Sequence, residues 1–389
     1  MRRVPEFAEK VVREIEKSGH AAYLVGGCVR DMVLDRQPAD WDVCTSATAE
    51  EVEAIFPRTV PTGARFGTVT VLTEGGKVEV TTFREDGAYQ DARRPETVSF
   101  SGRLEDDLKR RDFTVNAMAM DLNGEIIDLY GGLQDISARC IRCVGEPDTR
   151  FAEDALRMFR GLRFSAQLGF SVESRTMESI RRNAPRAARL SAERIRDEVE
   201  KTLLSDRPEI LDIVVKTGLL DGFILCRSVD FHTLKEIKNL PPVPAPRWAA
   251  FCLALLRAGA VTDGEALLIK LRLDKRTAAN AGRAAACALA GIPTDRADLK
   301  RLIGRFGGEI VQTAAEISDL YTGGCAGETV REILNSGECC TIAQLQIGGD
   351  ELIAAGYRGA AVGEKLADLL EHVIQCPEDN CPEKLRKLI

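Results

Sequence analysis

The patterning of this chain specifies a mixed α/β domain followed by an all-helical remainder. Residues 21–130 hold short β-type runs, AAYLVGG, WDVCT, GTVTVLT, KVEVTTF, FTVNAMAMD and EIIDLY, parted by Gly-rich turns. From about residue 148 onward, helix-period apolar patterns take over. At 389 residues, 44% hydrophobic and 29% charged, the chain is long enough for two to four domains and has a globular composition.

The elements follow in order. MRRVPEFAEKVVREIEK is an amphipathic helix without the apolar centre of a signal peptide. No run approaches 18 uninterrupted apolar residues, so no membrane span is expected and the chain is placed in the cytoplasm. AAYLVGG is a strand running into Gly26-Gly27, and ADWDVCT is a second strand carrying Asp40 and Asp42. KVEVTTF alternates Val78 and Val80 with Glu79, and a long polar loop, REDGAYQDARRPETVSFSGR, follows it. FTVNAMAMD is read as a further strand. A single helix is expected from about Asp148 or Thr149, after Pro147, to Gly169. LPPVPAPRW (240–248) and IPTDRAD (292–298) read as joints between helical units, and there is no tandem repeat.

The twelve cysteines lack a disulfide-framework spacing and read as reduced thiols. Cys376 with Cys381 is a weak zinc signal, with no CxxC and histidine set behind it. The net charge of −7 speaks against nucleic acid only as an average. Residues 181–196 hold six arginines against one acid, Glu193, a local balance of +5 that can attract phosphates.

Alternation along ADWDVCT would send Asp40 and Asp42 to one face, and two carboxylates that close are relieved by a divalent cation. A lone DxD is more often a solvated turn. Here Gly26-Gly27 stand upstream, where they allow close backbone approach to a phosphate. Arg30, one turn on, adds a guanidinium fork. Glu79 is a candidate third carboxylate or an ordinary solvent-facing residue. Arg111, in LKRRDFTVNAMAMD, would reach a triphosphate or pair at the surface with Asp106 or Asp107. Asn116 needs a partner, backbone or ligand, if buried.

GGCVRDMVLDRQPADWDVCT, RRDFTVNAM, EDALRMFRGLRF and SAERIRDEVEK stand in the order of the motifs of bacterial class II tRNA nucleotidyltransferases, the CCA-adding enzymes of the polymerase β superfamily. DLYGGLQDISARCIRCVGEP resembles the family's hinge, and LQIGGDELIAAGYRGAAVGEKLADLLEHVI resembles its carboxy-terminal segment. The resemblance implies an elongated, seahorse-shaped protein. It would have an α/β nucleotidyltransferase head (1–138) and an all-α neck (139–205), body (206–298) and tail (299–389). It implies Asp40 and Asp42 as catalytic Mg2+ ligands, and Gly27, Arg30 and Arg111 as nucleotide contacts. Asp154, Arg157, Arg160 and Arg163 fall where the family binds and selects CTP or ATP, and the implied partner is the acceptor stem and 3′ end of tRNA. The oligomeric state is open, a homodimer being one option.

The residues support such a division. Ala155, Phe159, Leu162 and Ala166 form one apolar stripe; Asp154, Arg157 and Arg160 point away from it, and Arg163 curls back. Gly161 leaves a notch beside Asp154 and Arg157, a slot for a flat base. A carboxylate only accepts and a guanidinium only donates, which matches the amino donor and ring-nitrogen acceptor shared by cytosine and adenine. Uracil and guanine present the reverse, at about 1–3 kcal/mol per unsatisfied group. The rival readings are an A-only or CC-only relative, a bacterial poly(A) polymerase and a non-catalytic RNA-binding protein. The retained REDGAYQDARRPE stretch speaks against the CC-only type, and Asp40 with Asp42 against a pure binder. Only three histidines, none followed by Asp, speak against an HD phosphohydrolase appendage.

Overall fold

The computed structural model describes residues 4–63, 66–86, 98–227, 229 and 231–389. Its contacts divide the chain into two units, Met1–Thr202 with Lys216–Gly222, and Leu203–Val215 with Phe223–Ile389. Most of the REDGAYQDARRPETVSFSGR loop lies outside the described residues.

The first unit opens with α1 (Glu6–Lys17), whose Ala8, Val11, Val12 and Ile15 are fully buried, as the amphipathic pattern requires. It continues through β1 (Ala22–Val25), α2 (Gly27–Val33), β2 (Asp42–Thr45), α3 (Ala49–Ile55), β3 (Thr59–Gly63), β4 (Thr68–Leu72) and β5 (Lys77–Thr82). A small ladder of β6 (Arg84–Asp86) and β7 (Val98–Phe100), then α4 (Leu104–Lys109), β8 (Met118–Met120) and β9 (Ile126–Asp128), complete the α/β part. Seven strands form one sheet in the order β3-β4-β5-β2-β1-β8-β9. β2 and β5 run parallel, and every other neighbouring pair is antiparallel. Alternation holds along β5, where Val78 and Val80 are buried and Glu79 is exposed. Val25, Cys44, Phe83, Leu108 and Ala119 form a core cluster on this sheet.

FTVNAMAMD is not one strand. Thr114–Asn116 coils into a 3-10 turn and only Met118–Met120 pairs. Side chains bend the chain there: Asp112 Oδ1 accepts from Phe113 N at 2.9 Å and from Asn116 Nδ2 at 3.2 Å, and the Thr114 hydroxyl donates to Asp135 at 2.6 Å.

Next come α5 (Gly132–Ser137), β10 (Cys140–Ile141), α6 (Pro147–Glu153), α7 (Leu156–Leu168), β11 (Ser171–Val172), α8 (Ser174–Asn183) and α9 (Ala192–Leu203). The single helix expected up to Gly169 is therefore two. Asp154 breaks it in an extended conformation (φ −139°, ψ 107°), and its Oδ1 accepts from Leu156 N at 2.9 Å, where the second helix begins. Gly169 ends α7 at φ +73°, as its type suggests.

The second unit is helical throughout: α10 (Ile210–Lys216, its last residue in the first unit), α11 (Phe231–Glu236), α12 (Pro244–Arg257), α13 (Gly264–Lys270), α14 (Lys275–Ala290), α15 (Arg296–Phe306), α16 (Gly308–Thr322), α17 (Ala326–Ser336), α18 (Gly349–Ala354), α19 (Ala360–Gln375) and α20 (Pro382–Leu385). The connector read in LPPVPAPRW ends sooner than expected. Pro244 starts α12, where a missing N–H costs nothing, and Trp248 is fully buried. IPTDRAD is a joint, closed by Asp295 capping α15. Two apolar clusters organise the carboxy-terminal part. One is built on Leu299, Val311 and Val330, the other on Leu345, Leu352, Leu369, Val373 and Leu385.

Candidate functional site

The strand β1 delivers the chain to Gly26, whose φ of +77° suits glycine alone. A Cβ there would stand 2.8 Å from Arg111 Nη1, so glycine admits that arginine as well as the turn. Gly27 then starts α2. One turn on, Arg30 is buried; it donates to Asn116 Oδ1 at 2.6 Å and Asp31 Oδ1 at 2.9 Å, and its guanidinium lies 5.3 Å from the Phe164 ring centre. The buried Asn116 thus has side-chain partners, Arg30 on one end and Asp112 on the other.

Asp42 opens β2 and sits in register with Glu79 on the parallel β5. Asp40 lies before the strand, so the two aspartates do not share a strand face as the pattern suggested. Its side chain is 68% exposed, with Lys77 Nζ at 3.8 Å. Burial pushes the Asp42 carboxyl up to about 6; the charges of Glu79 and Asp40 add to this, and Arg111 and Lys77 oppose it. An all-oxygen set of mutually repelling carboxylates fits a hard divalent cation, which needs one or two such ligands besides water and phosphate.

Arg111 pairs with Asp107, one of the alternatives read from the sequence, but the pair is not superficial. Asp107 is fully buried and holds Arg110 Nη2 at 2.6 Å and Arg111 Nη2 at 2.9 Å. Asp112 is a second buried anchor. Arg160 reaches its Oδ2 through Nε and Nη2, both at 2.7 Å. Burial works against this charge, yet Arg160, with Arg157 and Asn116, holds the carboxyl down at about 2.

The apolar stripe of α7 is buried as expected, Ala155, Phe159, Leu162 and Ala166 all lying within 2% exposure. Arg157, expected to point away from it, is also buried. It pairs with Glu153 at 2.5 Å and donates to the carbonyls of Arg150 (3.3 Å) and Arg110 (3.0 Å). Arg163 pairs with Glu198 of α9 and covers the Phe164 ring at 4.1 Å. Asp154 Oδ2 accepts from Arg194 Nη2 at 2.8 Å. The Gly161 notch is not a slot for a base: a Cβ on Gly161 would stand 2.8 Å from Phe113 Cζ, so the ring of Phe113 fills it.

Residues spread from Gly26 to Arg194 line one cleft of about 430 Å³. Seven arginines and three aspartates face it, an excess of positive charge suited to a triphosphate. Gly27, Arg30, Asp42, Arg111, Asp154, Arg157, Arg160 and Arg163 all line it, whereas Asp40 does not. Sequence reading gave no role to Asp112 or Glu198, took Asp107 only as a surface partner of Arg111, and placed Arg194 only in the basic 181–196 cluster. Only Asp107 carried a usable signal, standing three and four residues before Arg110 and Arg111 at helical pairing distance.

A family model described as "Poly A polymerase head domain" matches residues 22–142, and one described as "Probable RNA and SrmB- binding site of polymerase A" matches 169–225. The CCA-adding enzyme of Geobacillus stearothermophilus is 39% identical over 394 residues, covering 98% of this chain and 96% of its own. That of Geobacillus thermodenitrificans is 45% identical over 289 residues, covering 73% and 70%. The crystal structure of the Bacillus stearothermophilus CCA-adding enzyme in complex with CTP superposes with a TM-score of 0.77 at 34% identity, over 95% of this chain and 92% of that one. The Thermotoga maritima CCA-adding enzyme complexed with tRNA-CCA shares the fold, at TM-score 0.68 and 19% identity, over 100% and 97%. With relatives this similar along nearly its whole length, the chain belongs to the family of CCA-adding enzymes, the tRNA nucleotidyltransferases.

Proposed function

We propose that this chain adds or repairs the 3′-terminal CCA of tRNA from CTP and ATP without a nucleic-acid template, releasing pyrophosphate. The observation that carries the reading is the single cleft in which the Gly26-Gly27 turn and Asp42 meet Asp154, Arg157 and the other arginines. Asp40 and Asp42, with Glu79 beside them, are assigned as the ligands of Mg2+. When bound, that ion polarises the α-phosphate and acidifies the terminal hydroxyl of the tRNA. Arg30 and Arg111 face the triphosphate, where guanidinium donors offset the charge of the departing pyrophosphate. Gly27 lets the backbone come close to the same phosphates. Asp154 and Arg157 read the base edge, and Arg160 and Arg163 hold the ligand from the same helix.

The selector is built before any base arrives. Arg194 fixes one oxygen of Asp154 and Leu156 N–H the other, so the carboxylate faces the cleft in one orientation. Each carboxylate oxygen accepts more than one hydrogen bond, which leaves acceptor capacity for an exocyclic amino group. We also assign the four-part division, head 1–138, neck 139–205, body 206–298 and tail 299–389, with tRNA held by the helical parts through shape and backbone.

The test supplies CTP and ATP to the full chain with tRNA lacking CCA, CA or A, and sequences the products. All three should be completed to CCA. Products stopping at CC, or growth of only the last substrate, would reassign the chain to a partial activity. Asp42→Ala should abolish incorporation while tRNA binding persists; retained turnover would remove Asp42 from the reacting centre.

A further inference from the structure

The end of the chain carries a second cluster of ligating side chains that the transfer reaction does not use. His372 stands in the last turn of α19, and Cys376, four residues on, caps the helix end with its N–H on His372 O. The chain then turns through Pro377–Asp379, which brings Asp379 back against that helix end. One ligand atom from each of His372, Cys376 and Asp379 lies within 4.8 Å of the other two, and no other trio of His, Cys, Asp or Glu among the described residues does so. We infer that His372, Cys376 and Asp379 form a binding site for a borderline divalent cation of the Zn2+ class, which fastens the end of α19 to the terminal segment.

Donor chemistry sets the class. One imidazole nitrogen, one thiolate sulfur and one carboxylate oxygen suit Zn2+ and its congeners, whereas Mg2+ and Ca2+ want oxygen alone. Three protein ligands leave a fourth position for water. The pairing differs from the weak signal in the sequence, because the partner of Cys376 here is His372 and not Cys381.

The ligands are held by their surroundings. Asp379 Oδ2 meets His372 Nε2 at 2.7 Å, while its other oxygen, Oδ1, is held by Lys384 Nζ at 2.8 Å. Lys384 therefore orients the carboxylate from behind and leaves Oδ2 toward the site. Backbone bonds fix the turn: Cys376 N–H donates to His372 O at 2.8 Å, and Asp379 N–H to Cys376 O at 3.0 Å. Asn380 ties it to its neighbours, donating to Gln344 O and accepting from Gln346 N, each at 3.0 Å. With ligand distances of about 2.0–2.1 Å, a tetrahedral ion needs the His372–Asp379 pair to open by about two-thirds of an ångström. Binding takes the proton from the Cys376 thiol and releases it to solvent, while His372 binds as neutral imidazole. Just beyond, Leu385 is fully buried in the last apolar cluster, so the ion would reinforce a segment already docked.

The test titrates the full-length, reduced, metal-free protein with Co2+ and then displaces it with Zn2+. One equivalent of Co2+ should give the near-ultraviolet thiolate-to-cobalt charge-transfer band, and one equivalent of Zn2+ should abolish it. Cys376→Ser should lose the band, and His372→Gln should weaken Co2+ binding at least about tenfold, since even outer partners of a metal site cost that much. Cys325→Ser, which removes an exposed thiol elsewhere, should change nothing. No band in the wild type, or an unchanged band in Cys376→Ser, would overturn the assignment. Circular dichroism of both ligand variants without metal checks that they fold; if either does not, Cys376→Ala and His372→Ala take its place.

Discussion

Asp112 is the residue on which the arginine geometry of the cleft depends most, and Asp112→Asn tests this. Its Oδ1 accepts from Phe113 N and Asn116 Nδ2, so in the variant the amide oxygen keeps those partners. The amide NH2 then faces Arg160 Nε and Nη2, donor against donor, where two 2.7 Å charge-assisted bonds stood. Asp112 is 8% exposed, so solvent screens little. A carboxyl at about 2 rather than its ordinary 3.8 is worth about 2 kcal/mol at neutral pH. The unpaired guanidinium left behind raises the total toward about 4 kcal/mol. Because the folded-state value is depressed, this stability is present above pH 3.8 and is lost as pH falls toward 2, with about half of it gone at pH 3.

The assay is urea denaturation at pH 7 and at pH 3, read on the first unit alone. The chain has two tryptophans, Trp41 in the first unit and Trp248 in the second, so Trp248→Phe makes Trp41 fluorescence the reporter. The stability gap between the Asp112→Asn variant and its parent should close by about 1 kcal/mol between the two pH values. A gap of the same size at both would mean that Asp112 acts through shape and not through charge, and would refute the argument.

Other expectations follow from single contacts. Gly161→Ala should destabilise the first unit by about 1–3 kcal/mol through overpacking on Phe113, with Phe113→Leu recovering part of the loss; unchanged stability with a raised KM for CTP would return the notch to the base. Asp154→Ala should narrow discrimination against UTP and GTP by roughly tenfold, the worth of one mismatched polar group; if Arg194→Ala alone does the same, Asp154 must be held by Arg194 to read the base. In the second unit, Arg296 first and then Lys300 hold Glu338 at about 2, so Glu338→Gln should cost about 1–2 kcal/mol at pH 7 after solvent screening of the half-exposed Arg296, read on Trp248, and less as pH falls from 4.5 toward 2.

What could be read in advance was what the local chain decides. Alternation in KVEVTTF and the apolar face of α1 survived folding because each reports which side of one element meets a core. The break at Asp154 was invisible because EDALRMF contains no Pro or Gly and reads as helix on both sides. Its cause includes Arg194, forty residues on, which draws the carboxylate out of the helical row. Gly161 was legible as a missing side chain, but nothing local says whether a base or the ring of Phe113 takes the space. FTVNAMAMD alternates like a strand, yet Asp112 and Asp135 take its polar groups and coil it.

The same long-range acids explain how seven arginines share one cleft. Every one of them has a carboxylate partner: Arg30 has Asp31, Arg110 and Arg111 share Asp107, Arg157 has Glu153, Arg160 has Asp112, Arg163 has Glu198 and Arg194 has Asp154. Without those partners, like charges would drive the guanidiniums apart into solvent, and a triphosphate would have to gather them at an entropic cost. With them, the donors are placed before the ligand arrives, and a guanidinium has five N–H groups, more than one carboxylate can occupy. The acids would therefore lower the reorganisation that binding a triphosphate here requires, as preorganised dipoles do in a transfer reaction. The arginines have the chemistry that a phosphate site would need, whereas the acids that pair with them look like ordinary surface charge until the fold brings them together.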